Sequence, residues 1–292
     1  LIFHLTAKKP FSFAHTMRRI KRYENILYQE IDGTYYRVYT LGKRQVVVGT
    51  RAGTEDQLEV ETDQYLSDEE KKELICQLTH SYQLNLDLTP VQTRWAKGSP
   101  LHCLVKEREG MRILLDPTLF ECLIKTIISQ QIHIKVAQTM LYRFLDKIGE
   151  KITFRETTLF AFPSAEKVAQ YDYEDLQALS FSRRKAEYML DLSRAIKEGK
   201  LDLEKLGELD DTALIKRLTQ ERGVGRWTAE CLLLFGYGRG SMLPAADIGL
   251  RNAVRNRYHL DHQPTEKEVR ELAHQWSPYE SYLTFLFWDS LS

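Results

Sequence analysis

The segment LIKRLTQERGVGRWTAECLL, Leu214 to Leu233, limits the fold more than any other part of the chain. Its apolar spacing predicts a helix, a tight turn carrying Gly223 and Gly225, and a second helix. Glycines tolerate positive φ and let another backbone come close. Amides that point outward where a helix begins form an anion site, strengthened by the helix dipole. A DNA phosphate suits such a site, because contact with it needs no base identity. Turn geometry alone would also account for two glycines, so the surroundings must decide between the two roles.

A chain of 292 residues suggests about two domains. The first part reads as mixed α and β. FSFAHTMRRIKRY is one short helix, YYRVYTL and RQVVVGT are strands around a Gly-Lys turn, and LEVET is a further strand. SDEE at Ser67 is a capping box opening the next helix. The pattern weakens across Leu88 to Gly98, which sets the expected boundary: a small α/β domain over 1–90 and a helical domain over 91–292. Beyond the boundary no strand-like run is evident. Asp116 is read as the cap, with Pro117 in the first turn, of a helical run reaching through LIKTIISQQIHIKVAQTML. The expected class is therefore α+β with a predominantly helical second part.

Composition mainly excludes functions. Cys76, Cys103, Cys122 and Cys231 are dispersed with no CxxC pair, which argues against a zinc site, a cysteine-rich cluster or a disulfide framework. That usage fits a reducing cytoplasm. No apolar run approaches the roughly 20 residues of a membrane span. Net charge is zero, so any polyanion must be met by local clusters. These are Arg18 to Arg22, the run Ser182, Arg183, Arg184, Lys185, and Arg251 to Arg257. A solvated helix face is the plainer account of each, and a phosphate backbone is the sharper one.

Asp247 lies in LPAADIGL, just before an apolar helix, where it is a natural N-cap. A carboxylate at a helix start is held ionised by amides and dipole, so it can oppose a developing positive charge. Breaking a glycosidic bond produces such a charge on the sugar.

LTQERGVGRWTAECLLLFG…LPAADIGL, LFECLIKTIISQQIHIKVA and FSRRKAEYMLDLSRAIKEGKL together resemble the helix-hairpin-helix base-excision DNA glycosylases. GRWTA (Gly225 to Ala229) and SYLTFLFW (Ser281 to Trp288) are similar to the bacterial DNA-3-methyladenine glycosylase II group within it. The likeness covers nearly the whole chain and is looser before Leu88, where the family carries a small TBP-like α/β domain. It implies double-stranded DNA with damaged bases as partner, no obligate protein partner, base flipping, and hydrolysis at the glycosidic bond. Asp247 takes the position of the catalytic carboxylate. Trp227, Trp288, Gln130 and Cys231 fall at the base pocket, whose aromatic rings attract a cationic methylated base. The amides of Gly223, Gly225 and Thr228 fall on phosphate contacts, with Arg226, Arg183, Arg184, Lys185 and Arg251 as further DNA-binding candidates. The carbonyls of Thr219, Glu221 and Gly223 match positions that cradle a structural Na+ or K+, and no cofactor is implied for catalysis.

One residue refines that expectation and two depart from it. Members that also nick the strand have lysine where this chain has Trp227, and no lysine occurs between Lys216 and Lys267. A monofunctional enzyme leaving an abasic site is therefore expected. Cys231 stands where the similar group has tyrosine, which thins one pocket wall. Gln131 stands where an apolar wedge is expected, so either Gln131 or Ile132 fills the gap left by the flipped base. The competing readings are a glycosylase for oxidised or deaminated purines and a non-catalytic DNA-structure-binding protein. A two-metal nuclease lacks clustered carboxylates.

Overall fold

The structure is a computed structural model that describes residues 1–22 and 25–291. The first part comprises β1 (Ile2–Thr6), α1 (Phe13–Arg22), β2 (Gln29–Ile31), β3 (Thr34–Leu41), β4 (Arg44–Ala52), β5 (Gln57–Thr62) and α2 (Asp68–Ser81). Its strands form one antiparallel sheet in the order β1-β5-β4-β3-β2. The β3–β4 hairpin turns where Leu41 pairs with Arg44, and Gly42 takes φ 59° there. Period-two alternation along β3 splits its side chains between the faces. Tyr35, Tyr39 and Leu41 join Phe13 and Met17 of α1 and Leu74 and Leu78 of α2 in one core. Tyr36 and Val38 face the other way. The expected capping box opens α2, with Ser67 accepting from the Glu70 amide and Glu70 returning a bond to the Ser67 amide.

The second part comprises α3 (Thr89–Thr93), α4 (Pro100–Lys106), α5 (Leu119–Ser129), α6 (Ile134–Ile148), β6 (Glu150–Phe154), β7 (Thr157–Ala161), α7 (Ala165–Val168), α8 (Tyr173–Ala178) and α9 (Arg183–Lys197). It continues with α10 (Leu203–Leu206), α11 (Asp211–Leu218), α12 (Arg226–Phe235), α13 (Ile248–Tyr258), α14 (Glu266–Ala273) and α15 (Glu280–Ser290). One large apolar core joins these helices, with Phe144, Trp276 and Phe287 fully buried in it. Core membership changes between Leu84, which packs with the sheet, and Leu88, which packs with the helices. Leu27 from the first part also enters the helical core, and Tyr28 touches both, so the two parts are docked together.

Three local expectations are corrected. First, β6 and β7 form a two-stranded hairpin inside the helical part, and Leu159 and Ala161 cover Tyr36 and Val38 of the sheet. Its turn uses Arg155 and Glu156 at positive φ instead of Gly or Asn, so the usual turn signal is missing. Second, the helix after Pro117 is capped by Thr118, whose hydroxyl accepts from the Glu121 amide, and not by Asp116. Third, the long run beyond it is two helices. Gln131 sits at φ 57° in the break, and His133 caps α6 by accepting from the Lys135 amide. No glycine or proline marks that break, so apolar spacing ran through it.

Candidate active site

The turn between α11 and α12 spans 219–225, and its two glycines serve different ends. Gly223 has φ 91°, and a Cβ there would run into the Tyr188 ring of α9. Gly225 is the N-cap of α12 with ordinary φ −80° and open space beside it. It has no side chain to cap the helix, so the first-turn amides are left for an outside acceptor. The amides of Gly223, Gly225 and Thr228 have no acceptor among the described residues. Gln130, at the end of α5, braces this turn: its amide nitrogen donates to the Gly223 carbonyl and the Thr228 hydroxyl, both at 2.9 Å. Gln130 thus takes a place at the interface of the helices instead of on the pocket wall, because the bracing uses both of its amide N–H groups and the residue does not line the cavity below.

A cavity of about 850 Å³ opens beside the turn. Asp247 lines it as the N-cap of α13. Its Oδ1 accepts from the Leu250 amide at 2.7 Å and from the Trp288 indole N–H at 2.8 Å. One oxygen is thereby fixed by a helix start and an aromatic N–H. Trp288 stacks on Phe235, ring centroids 6.0 Å apart. Trp227, Trp288, Cys231 and Ile132 all line the cavity, whereas Gln131 does not. Burial pushes the Cys231 thiol far above its usual range, with the Asp247 charge adding to the effect, so it is a neutral wall group.

Several lining residues lay outside the sequence reading. Thr16, Arg19, Asn25 and Tyr28 come from the first part of the chain, so the docked α/β unit closes one side of the cavity. The Arg19 guanidinium lies 5.1 Å from the Phe285 ring. Asp116 and Lys125 also line the cavity and are bonded to each other. Lys125 donates to Glu121 at 3.3 Å as well, and Glu121 is paired with Arg37 of β3. Burial alone would lower the Lys125 pKa, but Asp116 and then Glu121 outweigh it and raise it. Lys125 and its partners are near in sequence, but Arg37, which completes the group, comes from a strand 84 residues before Glu121.

The basic candidates divide. Arg183 and Arg184 are exposed at the start of α9, and Arg226 is exposed while bonded to Glu230 at 2.9 Å. Lys185 instead donates to the Ile128 carbonyl at 2.7 Å, tying α9 to the end of α5, and burial lowers its pKa. Arg251 donates to the Pro264 carbonyl at 2.6 Å. Each contact engages a single N–H of its side chain, so Lys185 and Arg251 brace the fold and keep further N–H groups as DNA-binding candidates. Arg18 and Arg22 of the first basic cluster, with Arg108, surround the buried Asp289 carboxylate. Among the described residues no group of three His, Cys, Asp or Glu is arranged to hold a metal, and no helix is long and apolar enough to cross a membrane. The Glu221 and Gly223 carbonyls each accept one hydrogen bond, from the Val224 amide and from Gln130, and each retains a second lone pair.

The comparisons with known proteins agree with this geometry. Residues 124–278 match the HhH-GPD superfamily base excision DNA repair protein model. A Bacillus subtilis protein named "Putative DNA-3-methyladenine glycosylase YfjP" is 36% identical over 75% of both chains. The 3-methyladenine DNA-glycosylase structure from Archaeoglobus fulgidus superposes with TM-score 0.86 over 98% of this chain and 97% of that one, at 24% identity, a likeness of fold. The Schizosaccharomyces pombe 3-methyladenine DNA glycosylase Mag1, solved with abasic DNA, gives TM-score 0.56 at 29% identity over 66% of this chain and 91% of that one. With its two-glycine turn, its cavity and the Asp247 carboxylate at a helix start, the chain belongs to the HhH-GPD superfamily of base excision DNA repair proteins.

Proposed function

We propose that this protein is a monofunctional DNA glycosylase that removes alkylated purines, of the 3-methyladenine type, from double-stranded DNA and leaves an abasic site. The observation that carries the reading is Asp247, a carboxylate held by the Leu250 amide and the Trp288 indole on the wall of a cavity roomy enough to admit an extruded nucleotide. The bare amides at Gly223, Gly225 and Thr228 take a phosphate of the strand beside the extruded nucleotide. Ile132, which lines the cavity next to the break after α5, fills the gap in the base stack.

In the reaction the C1′–N bond breaks with its electron pair leaving on the base. A cationic methylated base departs neutral, so it needs little acid assistance. Positive charge grows on the sugar, and the fixed Asp247 carboxylate opposes it in a site partly shielded from water. A water oxygen then bonds to C1′, and its proton passes to the carboxylate or to solvent. The faces of Trp227 and Trp288 favour a cationic base by cation–π attraction.

Strand nicking through a Schiff base needs a neutral amine. Trp227 supplies none, and Lys125, which does line the cavity, is held as an ammonium between two carboxylates. The Thr219, Glu221 and Gly223 carbonyls offer hard oxygen ligands for a structural Na+ or K+ at the turn. Release of 3-methyladenine from methylated duplex DNA tests the function. Asp247→Asn should abolish release while binding to abasic DNA persists, and undiminished release by that variant would remove Asp247 from the mechanism. A protein–DNA adduct trapped by borohydride with the unaltered protein would overturn the monofunctional reading.

A further inference from the structure

Asp116 and Lys125 are unusual walls for a cavity meant for a flat aromatic ring. Burying an ion costs several kcal/mol unless it is fully paired. Arg37 already balances Glu121 across the junction of the two parts, so that junction needs no second pair. Yet Lys125 and Asp116 are added on the cavity side, with side chains 21% and 14% exposed there, against 3% and 2% for Arg37 and Glu121. The four charges cancel, so the wall does not repel a cationic guest as a lone ammonium would.

The pairing leaves hydrogen-bonding capacity over. Two of the three Lys125 N–H groups reach Asp116 and Glu121. Asp116 takes Lys125 on Oδ1 and has the weak thiol donor of Cys122 beside it, and no N–H or O–H among the described residues reaches its Oδ2. A carboxylate oxygen without such a donor on the wall of a partly shielded cavity is a strong acceptor for an incoming N–H. Its place relative to Asp247 follows from the contacts. The Asp116 amide donates to the Phe235 carbonyl at 2.9 Å, Phe235 stacks on Trp288, and Trp288 donates to Asp247. Asp116, Phe235, Trp288 and Asp247 thus line the same cavity as a chain of neighbours, with the aromatic pair linking the two aspartates. A purine lying along it with its sugar bond at Asp247 turns its far edge toward Asp116.

We propose that Asp116 and Lys125 read the far edge of the extruded base, favouring purines with an exocyclic amino group beside a ring-nitrogen acceptor, as in 3-methyladenine, over purines with a carbonyl at that place, as in 7-methylguanine. The amino group donates to Asp116 and the ring nitrogen accepts from Lys125. A carbonyl oxygen facing Asp116 meets an acceptor instead of a donor. The proposal rests on the glycosylase reading, and it concerns which base is preferred, not whether base is released.

Dimethyl-sulfate-treated DNA supplies both bases in one reaction, so a general loss of activity cancels in the ratio of 3-methyladenine to 7-methylguanine released. Asp116→Asn is nearly isosteric and offers a donor in place of an acceptor. The ratio should fall about tenfold, the worth of one charge-assisted hydrogen bond. A double variant, D116N/K125M, avoids leaving the lysine without its partner and should lower the ratio in the same direction. A ratio unchanged within about twofold in either folded variant would reduce the pair to a structural bridge. A second measurement uses only the unaltered protein with abasic-site DNA. Free 3-methyladenine should bind about tenfold more tightly than 3-methylpurine, which lacks the amino group, and equal binding would overturn the proposal. If the unaltered protein released neither base from methylated DNA, the glycosylase reading would fail, while the free-base comparison would still judge the edge reader.

Discussion

Two aspartates stand in similar sequence settings, each close to a proline and followed within a few residues by an apolar helix, and the fold uses them in opposite ways. Asp247 caps α13, and its carboxylate also takes the Trp288 indole. Asp116 leaves the cap of α5 to Thr118 and pairs with Lys125. Both end on the same cavity. A cap is a contract between neighbours in sequence, satisfied by an amide three residues on. The ion pair with Lys125, nine residues on, is tied to a sheet strand through Glu121 and Arg37, so the docking of two parts of the chain reinforces it. Asp247 is thus held by a capping bond and tuned by one tertiary contact, whereas Asp116 is held by an ion pair that the docked sheet reinforces.

That contrast can be broken experimentally. The largest effect should come from Asp247→Asn, which keeps the cap acceptor but removes the charge facing the sugar. Base release should drop about a hundredfold or more, the usual range for losing a preorganised electrostatic group. Thermal stability should change little. Trp288→Phe should follow, with release falling about tenfold, because the ring can still stack on Phe235 while the N–H that orients Asp247 is lost. If Trp288→Phe matched the unaltered protein, the helix start alone would suffice to orient the carboxylate.

The turn glycines offer a smaller test within one motif. Gly223→Ala should destabilise the protein by about 1–3 kcal/mol, since positive φ and the Tyr188 ring both oppose a Cβ. Gly225→Ala should leave melting nearly unchanged, because its φ is ordinary and its surroundings are open. It should still weaken DNA binding where a phosphate approaches the bare amides. Equal melting losses in the two variants would mean that the turn is strained throughout.

The smallest expected effect lies away from the cavity. Glu107 accepts from Arg257 and Arg108 and is held down at about 2, below the ordinary 4.5, chiefly by the Arg257 hydrogen bond. A carboxylate lowered in the folded state adds stability that is complete above its unfolded value and disappears as pH falls through the folded one. Between pH 4.5 and 2 the unaltered protein should therefore lose stability more steeply than Glu107→Gln, as read from melting temperatures across that window. Half of the Glu107 side chain is exposed, so solvent screening keeps the difference small.

Legibility followed the range of the interactions. The α11–α12 turn, the Ser67 capping box, the β3–β4 hairpin and the Asp247 cap were all readable, because each is set by residues within a few positions of one another. The tryptophans at 227 and 288 were placed at the pocket through family resemblance, and both line the cavity. The β6–β7 hairpin escaped because its turn residues are Arg155 and Glu156. The break between α5 and α6 escaped because apolar spacing persists through it. The bracing of Lys185 and Arg251 escaped because charge is visible in sequence, while the carbonyls that take one N–H of each are not.

By itself the sequence determined the class of fold, the two-glycine turn and the carboxylate at the start of α13, all of which follow from local backbone preferences and side-chain chemistry. Only the tertiary structure decided what surrounds that carboxylate. It brought Arg19 and Tyr28 from the first part to close the cavity, turned Gln130 from a pocket residue into a brace, and set Asp116 with Lys125 on the wall. The reason is physical: a capping bond spans three residues and leaves a pattern in the chain, whereas a cavity wall is assembled by packing between segments that share no spacing at all.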